Sequence, residues 1–191
     1  VPGLLENFSV GAVYVSPAFL DFRQPSVRLL CEATHSAGVP MRLIWGSDHL
    51  RCDKDVAVEI LLPPAKRLSS DDNANSIVFS LRYAGRELLL TGDLEKAGQQ
   101  ALLRLPPRQH DVLLAPHHGS LKANPPDLAR WVAPRWVVVS GGGDISPTKL
   151  QQIYGAGAEV LTTGRQGAVT VEISPAGEIH VESQLDVQPR D

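Results

Sequence analysis

The chain has 191 residues, 43% of them hydrophobic, and a formal net charge of −3 at pH 7. That length supports one substantial core and one domain, and the charge excludes a broadly basic surface, so contact with nucleic acid would have to run through a local patch or bound metal ions. No apolar run approaches the roughly 18–20 residues of a membrane span, no charged-then-apolar leader opens the chain, and Cys31 and Cys52, far apart with no partner at zinc-finger spacing, read as buried free thiols.

The chain opens on Val1-Pro-Gly-Leu-Leu-Glu-Asn-Phe8, which already reads as part of a helix and suggests a piece of something longer. A strand follows at 11–16, then a helix over 26–37, where Leu29, Leu30 and Ala33 recur at three-to-four spacing. Strands are expected at 41–45 and 56–62, separated by a polar stretch, Asp48 to Asp53, that reads as a solvated loop. Residues 65–75 read as a flexible loop. The strongest local signal is 76–91, where Ile77, Phe79, Leu81 and Tyr83 alternate up to Ala84-Gly85 and an apolar strand returns, which is a hairpin with a tight turn. A helix over 94–104, a strand at 111–115, helical spacing between Leu128 and Trp131, and a strand at 136–140 come next. From Lys149 a helix precedes strands at 159–162, 168–173 and 178–182, and 184–191 form a polar tail. Strands alternating with helices for most of the length define an α/β protein.

Two strand ends carry the chemistry. One strand closes on Thr91-Gly92-Asp93 and a neighbour closes on Pro116-His117-His118-Gly119-Ser120. A carboxylate and an imidazole pair brought to adjacent strand ends supply oxygen and nitrogen ligands suited to Zn²⁺ or Mn²⁺. Thr-Gly-Asp by itself is an ordinary turn, and the bland reading of the histidines is one buried and one solvated. Their separation, one helix plus one strand, is what adjacent parallel strands require.

Other residues take structural readings. Asp48, His49, Cys52 and Asp53 fall in the polar stretch, His35 and His180 belong on the surface, and His110 precedes a strand outside the site. Trp45, Trp131 and Trp136 are expected in the core rather than stacked on bases. Arg82, Arg86, Lys122, Arg130 and Arg135 form no clustered run, and Gly141-Gly142-Gly143 is a turn or a phosphate cradle.

The runs Asp72-Asn-Ala-Asn-Ser76, Gly85 to Glu95 (Gly-Arg-Glu-Leu-Leu-Leu-Thr-Gly-Asp-Leu-Glu), Asp111 to Ser120 (Asp-Val-Leu-Leu-Ala-Pro-His-His-Gly-Ser) and Val137-Val-Val-Ser-Gly-Gly142 together resemble the metallo-β-lactamase-like domain of the ComEC DNA-uptake family. The resemblance runs from Val1 to about Glu182 and implies the C-terminal part of that domain, over residues 1–183, in a four-layer αββα sandwich whose N-terminal portion lies outside the chain. It implies two divalent metal ions, Zn or Mn, with Asp93 bridging them and His118 ligating one, and His117 and Ser120 as catalytic groups facing a substrate phosphate. The order of the two histidines stays open. It implies a nuclease-type phosphodiesterase in the complete protein, DNA as partner with no small-molecule cofactor, and a soluble domain attached to the transmembrane channel of a bacterial inner-membrane protein.

Three departures from the family pattern accompany the resemblance. The histidine-rich metal motif is absent from the chain and is expected upstream of Val1, Leu62 stands where many relatives have a ligand histidine, and Ser146-Pro147 stands where they often have His-Pro. Asn73 or Asn75 is an alternative group near the site. Leu62 and Ser146 motivate a second reading, a catalytically impaired binding or gating module, and the resemblance also allows a third, hydrolysis of a small phosphoester or another ester.

Overall fold

The computed structural model describes residues 2–21, 24–141 and 146–185. In chain order these form α1 (Pro2–Asn7), β1 (Val13–Val15), α2 (Pro25–Ser36), β2 (Met41–Leu43), β3 (His49–Arg51), β4 (Ala57–Leu62), β5 (Val78–Tyr83), β6 (Arg86–Leu90) and α3 (Lys96–Leu103). There follow β7 (Val112–Leu114), α4 (Pro126–Val132), β8 (Trp136–Val139), α5 (Pro147–Tyr154), β9 (Glu159–Thr162), α6 (Thr163–Gln166), β10 (Val169–Ile173) and β11 (Ile179–Ser183). The expected hairpin is β5 and β6. Ala84 (φ 48°) and Gly85 (φ 77°) both take positive φ at its tip, as a type I′ turn requires.

Among the described residues the main sheet has seven strands in the sequential order β3 to β9. The pairs from β3 to β6 are antiparallel and those from β6 to β9 parallel. It follows that β4, β6, β7, β8 and β9 all run one way, and their C-terminal ends share one edge of the sheet. β1 and β2 form a separate parallel pair, and β10 and β11 an antiparallel one.

Side chains on successive strand residues face opposite ways, and this divides the core into two. On one face Leu62, Val78, Leu89, Leu113, Val137 and Val139 meet the helices through Leu94, Leu102, Leu128, Trp131 and Leu150. On the other, Val112, Trp136 and Leu161 pack against Val169, Val171, Ile179 and Val181 of the β10–β11 pair. Val58, Ile60 and Ile44 form a third cluster. The layers are thus helix, large mixed sheet and a small second sheet. α3 lies close enough to the turn at 73–75 that a Cβ on Gly98 would run into the Ala74 carbonyl oxygen.

Several expectations need correction. The polar stretch after Trp45 holds an edge strand, β3, paired with β4. Residues 65–75 are tied rather than loose: the Asn75 amide, 3% exposed, donates to the Ser69 and Asp71 carbonyls and accepts from Leu68 N–H. The thiols are not buried, since Cys31 is half-buried on a helix with little cover and Cys52 is exposed beside the edge strand. Trp45 is 37% exposed where the chain turns beyond β2, its backbone N–H donating to the Asp48 carboxylate. Trp131 and Trp136 are in the core. Gly142 and Gly143 lie outside the described residues.

Candidate functional site

β6 and β7 are adjacent parallel strands in register, Leu90 opposite Leu114, so the segments that follow them leave the sheet side by side. Two hydrogen bonds join these segments. The hydroxyl of fully buried Thr91 donates to the Leu114 carbonyl (2.8 Å), and His117 N–H donates to the Gly92 carbonyl (3.0 Å). The Thr-Gly-Asp and His-His motifs, expected to be neighbours, are directly bonded.

The histidine segment is strained. His117 (φ 47°, ψ 53°) and His118 (φ 53°, ψ 29°) both occupy the left-handed region, followed by Gly119 at φ 80°. Such a conformation costs roughly 1–2 kcal/mol for each residue other than glycine and persists only where the surroundings enforce it. Strain of this kind at a cluster of reactive side chains is a pointer to function.

The two imidazoles point to different partners. His118 Nδ1 lies 2.7 Å from the Ser140 carbonyl oxygen, which only accepts, so Nδ1 carries a proton and in the neutral ring Nε2 keeps the lone pair. Nε2 is 3.7 Å from Asp93 Oδ1. A second-nitrogen bond to a carbonyl is the arrangement that fixes a metal-ligating histidine, and 3.7 Å is the span of two ligand atoms each about 2.1 Å from one ion at an angle near 120°. Asp93 and His118 therefore fit as two ligands of one divalent cation. Among the described residues no group of three or more His, Cys, Asp or Glu side chains converges.

His117 Nδ1 lies 2.7 Å from Glu95 Oε1 and is buried without a formed hydrogen bond among the described residues. Glu95 is a residue the sequence reading missed. The signal was present in Asp93-Leu94-Glu95: Leu94 is fully buried in the core and Glu95 has extended backbone (φ −143°, ψ 168°), so residues on either side of Leu94 share the opposite face. Ser140, whose carbonyl orients His118, was missed as well. Ser120 sits at the exit of the left-handed turn, its N–H closing the turn onto the His117 carbonyl (2.9 Å).

The residues singled out as departures have structural places. Leu62, 4% exposed, lies in the helix-side core. Ser146 caps α5, its hydroxyl accepting from Lys149 N–H. Asn75 does not reach toward a metal, because its amide is taken up by its own loop.

A second polar constellation stands at the opposite end of β6 and β7. Arg108 donates two hydrogen bonds to Glu87 (2.6 and 2.9 Å) and one to Glu59 (2.6 Å). Fully buried His110 contacts the Arg108 carbonyl (2.9 Å) and the Ser80 hydroxyl (3.1 Å) and stacks on Trp131. The hydrogen bonds from Arg108 hold the Glu87 carboxyl below its ordinary range, and burial holds the His110 imidazole below its own.

No family model matches the chain. Among curated proteins it is similar to ComE operon protein 3 of Bacillus subtilis (strain 168), 29% identical over 140 residues that cover 73% of this chain and 18% of that protein. It is also similar to competence protein ComA of Neisseria gonorrhoeae, 30% identical over 123 residues, 61% of this chain and 18% of that one. The chain thus spans less than a fifth of the length of either relative. Among solved structures it is similar to a Parabacteroides distasonis protein assigned as a metal-dependent hydrolase, with a TM-score of 0.49 and 12% identity over 83% of this chain and 78% of that one. On these two relatives the chain is similar to a part of ComEC-type competence proteins.

Proposed function

We propose that this chain contributes the C-terminal part of a metal-dependent phosphodiesterase domain that cleaves DNA within a ComEC-like uptake protein attached to a membrane channel. The single observation that carries the reading is the approach of His118 Nε2 to Asp93 Oδ1 at 3.7 Å, with His118 Nδ1 held by Ser140. In this reading residues 1–183 belong to an αββα sandwich, with β10 and β11 as part of its second sheet, while 186–191 of the polar segment 184–191 lie outside the described residues. The remaining ligands come from a histidine-rich segment preceding Val1.

Asp93 and His118 would hold the ions. His117, set by Glu95 on its Nδ1 side, presents Nε2 to a phosphate oxygen, and the Ser120 hydroxyl, at the exit of the same turn, donates to another. Divalent ions, when bound, supply a water activated for attack at neutral pH and offset the charge of the phosphate. No helix among the described residues is long and apolar enough to cross a membrane; in this reading the channel is a different part of the parent protein.

The test is manganese-dependent nicking of plasmid DNA by a protein extended upstream to include that segment. Cleavage well above an Asp93→Ala control is the expected result, and none above it overturns the reading. Competition with small phosphoesters separates a nuclease from a general phosphoesterase.

A second reading, a folded gating or binding module without catalysis, is favoured by one observation: Leu62, which stands where a ligand histidine is expected, is committed to the core. Metal content separates the two. Two ions per extended chain support the enzyme, and fewer than two with the fold intact support the module.

A further inference from the structure

We propose that Asn124 is the positioning residue for His117 and His118, a clamp that holds the left-handed turn from which both side chains project. The proposal rests on reading those histidines as site residues. Its basis is the placement of three hydrogen bonds. The Asn124 amide nitrogen donates to the carbonyls of Pro116 (3.1 Å) and Ser120 (2.8 Å), the residues that enter and leave the left-handed run 117–119. Both N–H groups of one amide therefore pin the two ends of the strained segment.

The amide's orientation is determined by its partners. A carbonyl oxygen accepts and never donates, so a flipped Asn124 would set its own oxygen against two others. On the opposite side Asn124 Oδ1 accepts from the Tyr154 hydroxyl at 2.7 Å. Burial holds the Tyr154 phenol above its ordinary pKa, so it remains a donor. Asn124 is fully buried and every polar atom of its side chain is engaged. Tyr154 belongs to α5, and α5 packs into the helix-side core through Leu150, so the clamp is braced by a helix remote in sequence from the turn.

A mere space-filling role would not require both carbonyls of one turn as partners. Nearby segments have other supports: α3 is joined to this region through Gln99, whose amide donates to the Ala123 carbonyl (2.6 Å), and Ala123 N–H bonds to the Ser120 carbonyl (3.0 Å). Among the described residues only Asn124 spans from Pro116 to Ser120. If the turn relaxes, His118 Nδ1 leaves the Ser140 carbonyl, its tautomer is no longer fixed, and Nε2 loses its set approach to Asp93.

The experiment compares wild type, Asn124→Ala, Tyr154→Phe and Arg108→Ala. The last is a control that weakens the fold at the far end. Long-range ¹⁵N–¹H correlation of the imidazoles reads the His118 tautomer in the 191-residue chain without any metal, and Mn²⁺ titration reads affinity in the extended protein. Wild type and Arg108→Ala are expected to keep the proton on Nδ1. Asn124→Ala is expected to shift it to a mixture and to weaken Mn²⁺ binding about 10- to 100-fold, the range for loss of a group that orients a ligand. Retention of both the tautomer and the affinity in folded Asn124→Ala overturns the proposal. If Asn124→Ala does not fold, Tyr154→Phe decides: a partial loss of the fixed tautomer supports the clamp, and an unchanged spectrum overturns it. A wild-type protein that binds no Mn²⁺ sinks the metal reading, while the tautomer comparison still decides the clamp.

Discussion

Two histidine-bearing segments flank β7, and they are built in opposite ways. Before the strand, His110 is fully buried, contacts partners through both ring nitrogens and stacks on Trp131, while Arg108 beside it neutralises Glu59 and Glu87. After the strand, the side chains of His117 and His118 are 36% and 64% exposed, sit on left-handed backbone, and face carboxylates without completing a set of partners. Residue types are similar at the two ends. What differs is free bonding capacity: the first constellation has its polar groups satisfied and serves the fold, and the second retains lone pairs and strain that the fold does not need. Chemistry is expected where capacity is left over.

Exchanging the properties of the two ends breaks this comparison, and the largest effect belongs to Asp93. In the extended protein Asp93→Ala is expected to lower DNA cleavage by about 1,000-fold, the scale for removing a group that acts on charge developing in the transition state, or about 4 kcal/mol. Its denaturation midpoint should stay within about 0.5 kcal/mol of wild type, because the side chain is 47% exposed and leaves no cavity. Arg108→Ala is the mirror image. It leaves Glu59 and Glu87 facing each other without their cation. A fully buried pair broken in this way costs several kcal/mol. With side chains 21–35% exposed, solvent screening reduces that to about 2 kcal/mol in urea denaturation, with cleavage by the folded protein unchanged. A stable Arg108→Ala that loses cleavage, or an Asp93→Ala that unfolds, would show the ends to be misassigned.

The strands were legible in the sequence because their signals are local. Alternation over 76–91 with Ala84-Gly85 at the tip specifies a hairpin, and the apolar run Val112-Leu113-Leu114 specifies a strand buried on both faces. β3 was not legible, since His49-Leu50-Arg51 has one apolar residue and owes its pairing to β4. At the site, Asp93 and the histidine pair stood out by residue type and by position at strand ends. Glu95, Ser140 and Asn124 did not, because each acts through a geometry that only the packed chain creates. Ser140 acts through its backbone carbonyl, which no side-chain pattern reveals. Tyr154 meets Asn124 across 30 residues. Left-handed backbone at two successive histidines runs against local preference altogether, and tertiary contacts impose it.

The smallest expected effect concerns His110 and sharpens the structural half of the comparison. The groups facing it are Ser80 on β5, the Arg108 carbonyl, Glu87 on β6 at 3.9 Å and the Trp131 ring on α4. Burial is the dominant influence and lowers its pKa, with Glu87 opposing. A histidine whose folded pKa lies below its unfolded value, about 6.5, leaves stability intact above that value. As the pH falls below it the unfolded chain takes up a proton that the folded chain refuses, and stability declines until the folded pKa is reached. The urea midpoint should therefore drop between about pH 7.5 and about pH 5.5, above the range in which carboxylates titrate. His110→Gln, whose amide can still donate to the Arg108 carbonyl and accept from Ser80, should be less stable at the upper pH and should lack that part of the slope. Equal slopes in wild type and His110→Gln would mean that the buried end does not carry the acid sensitivity of the fold.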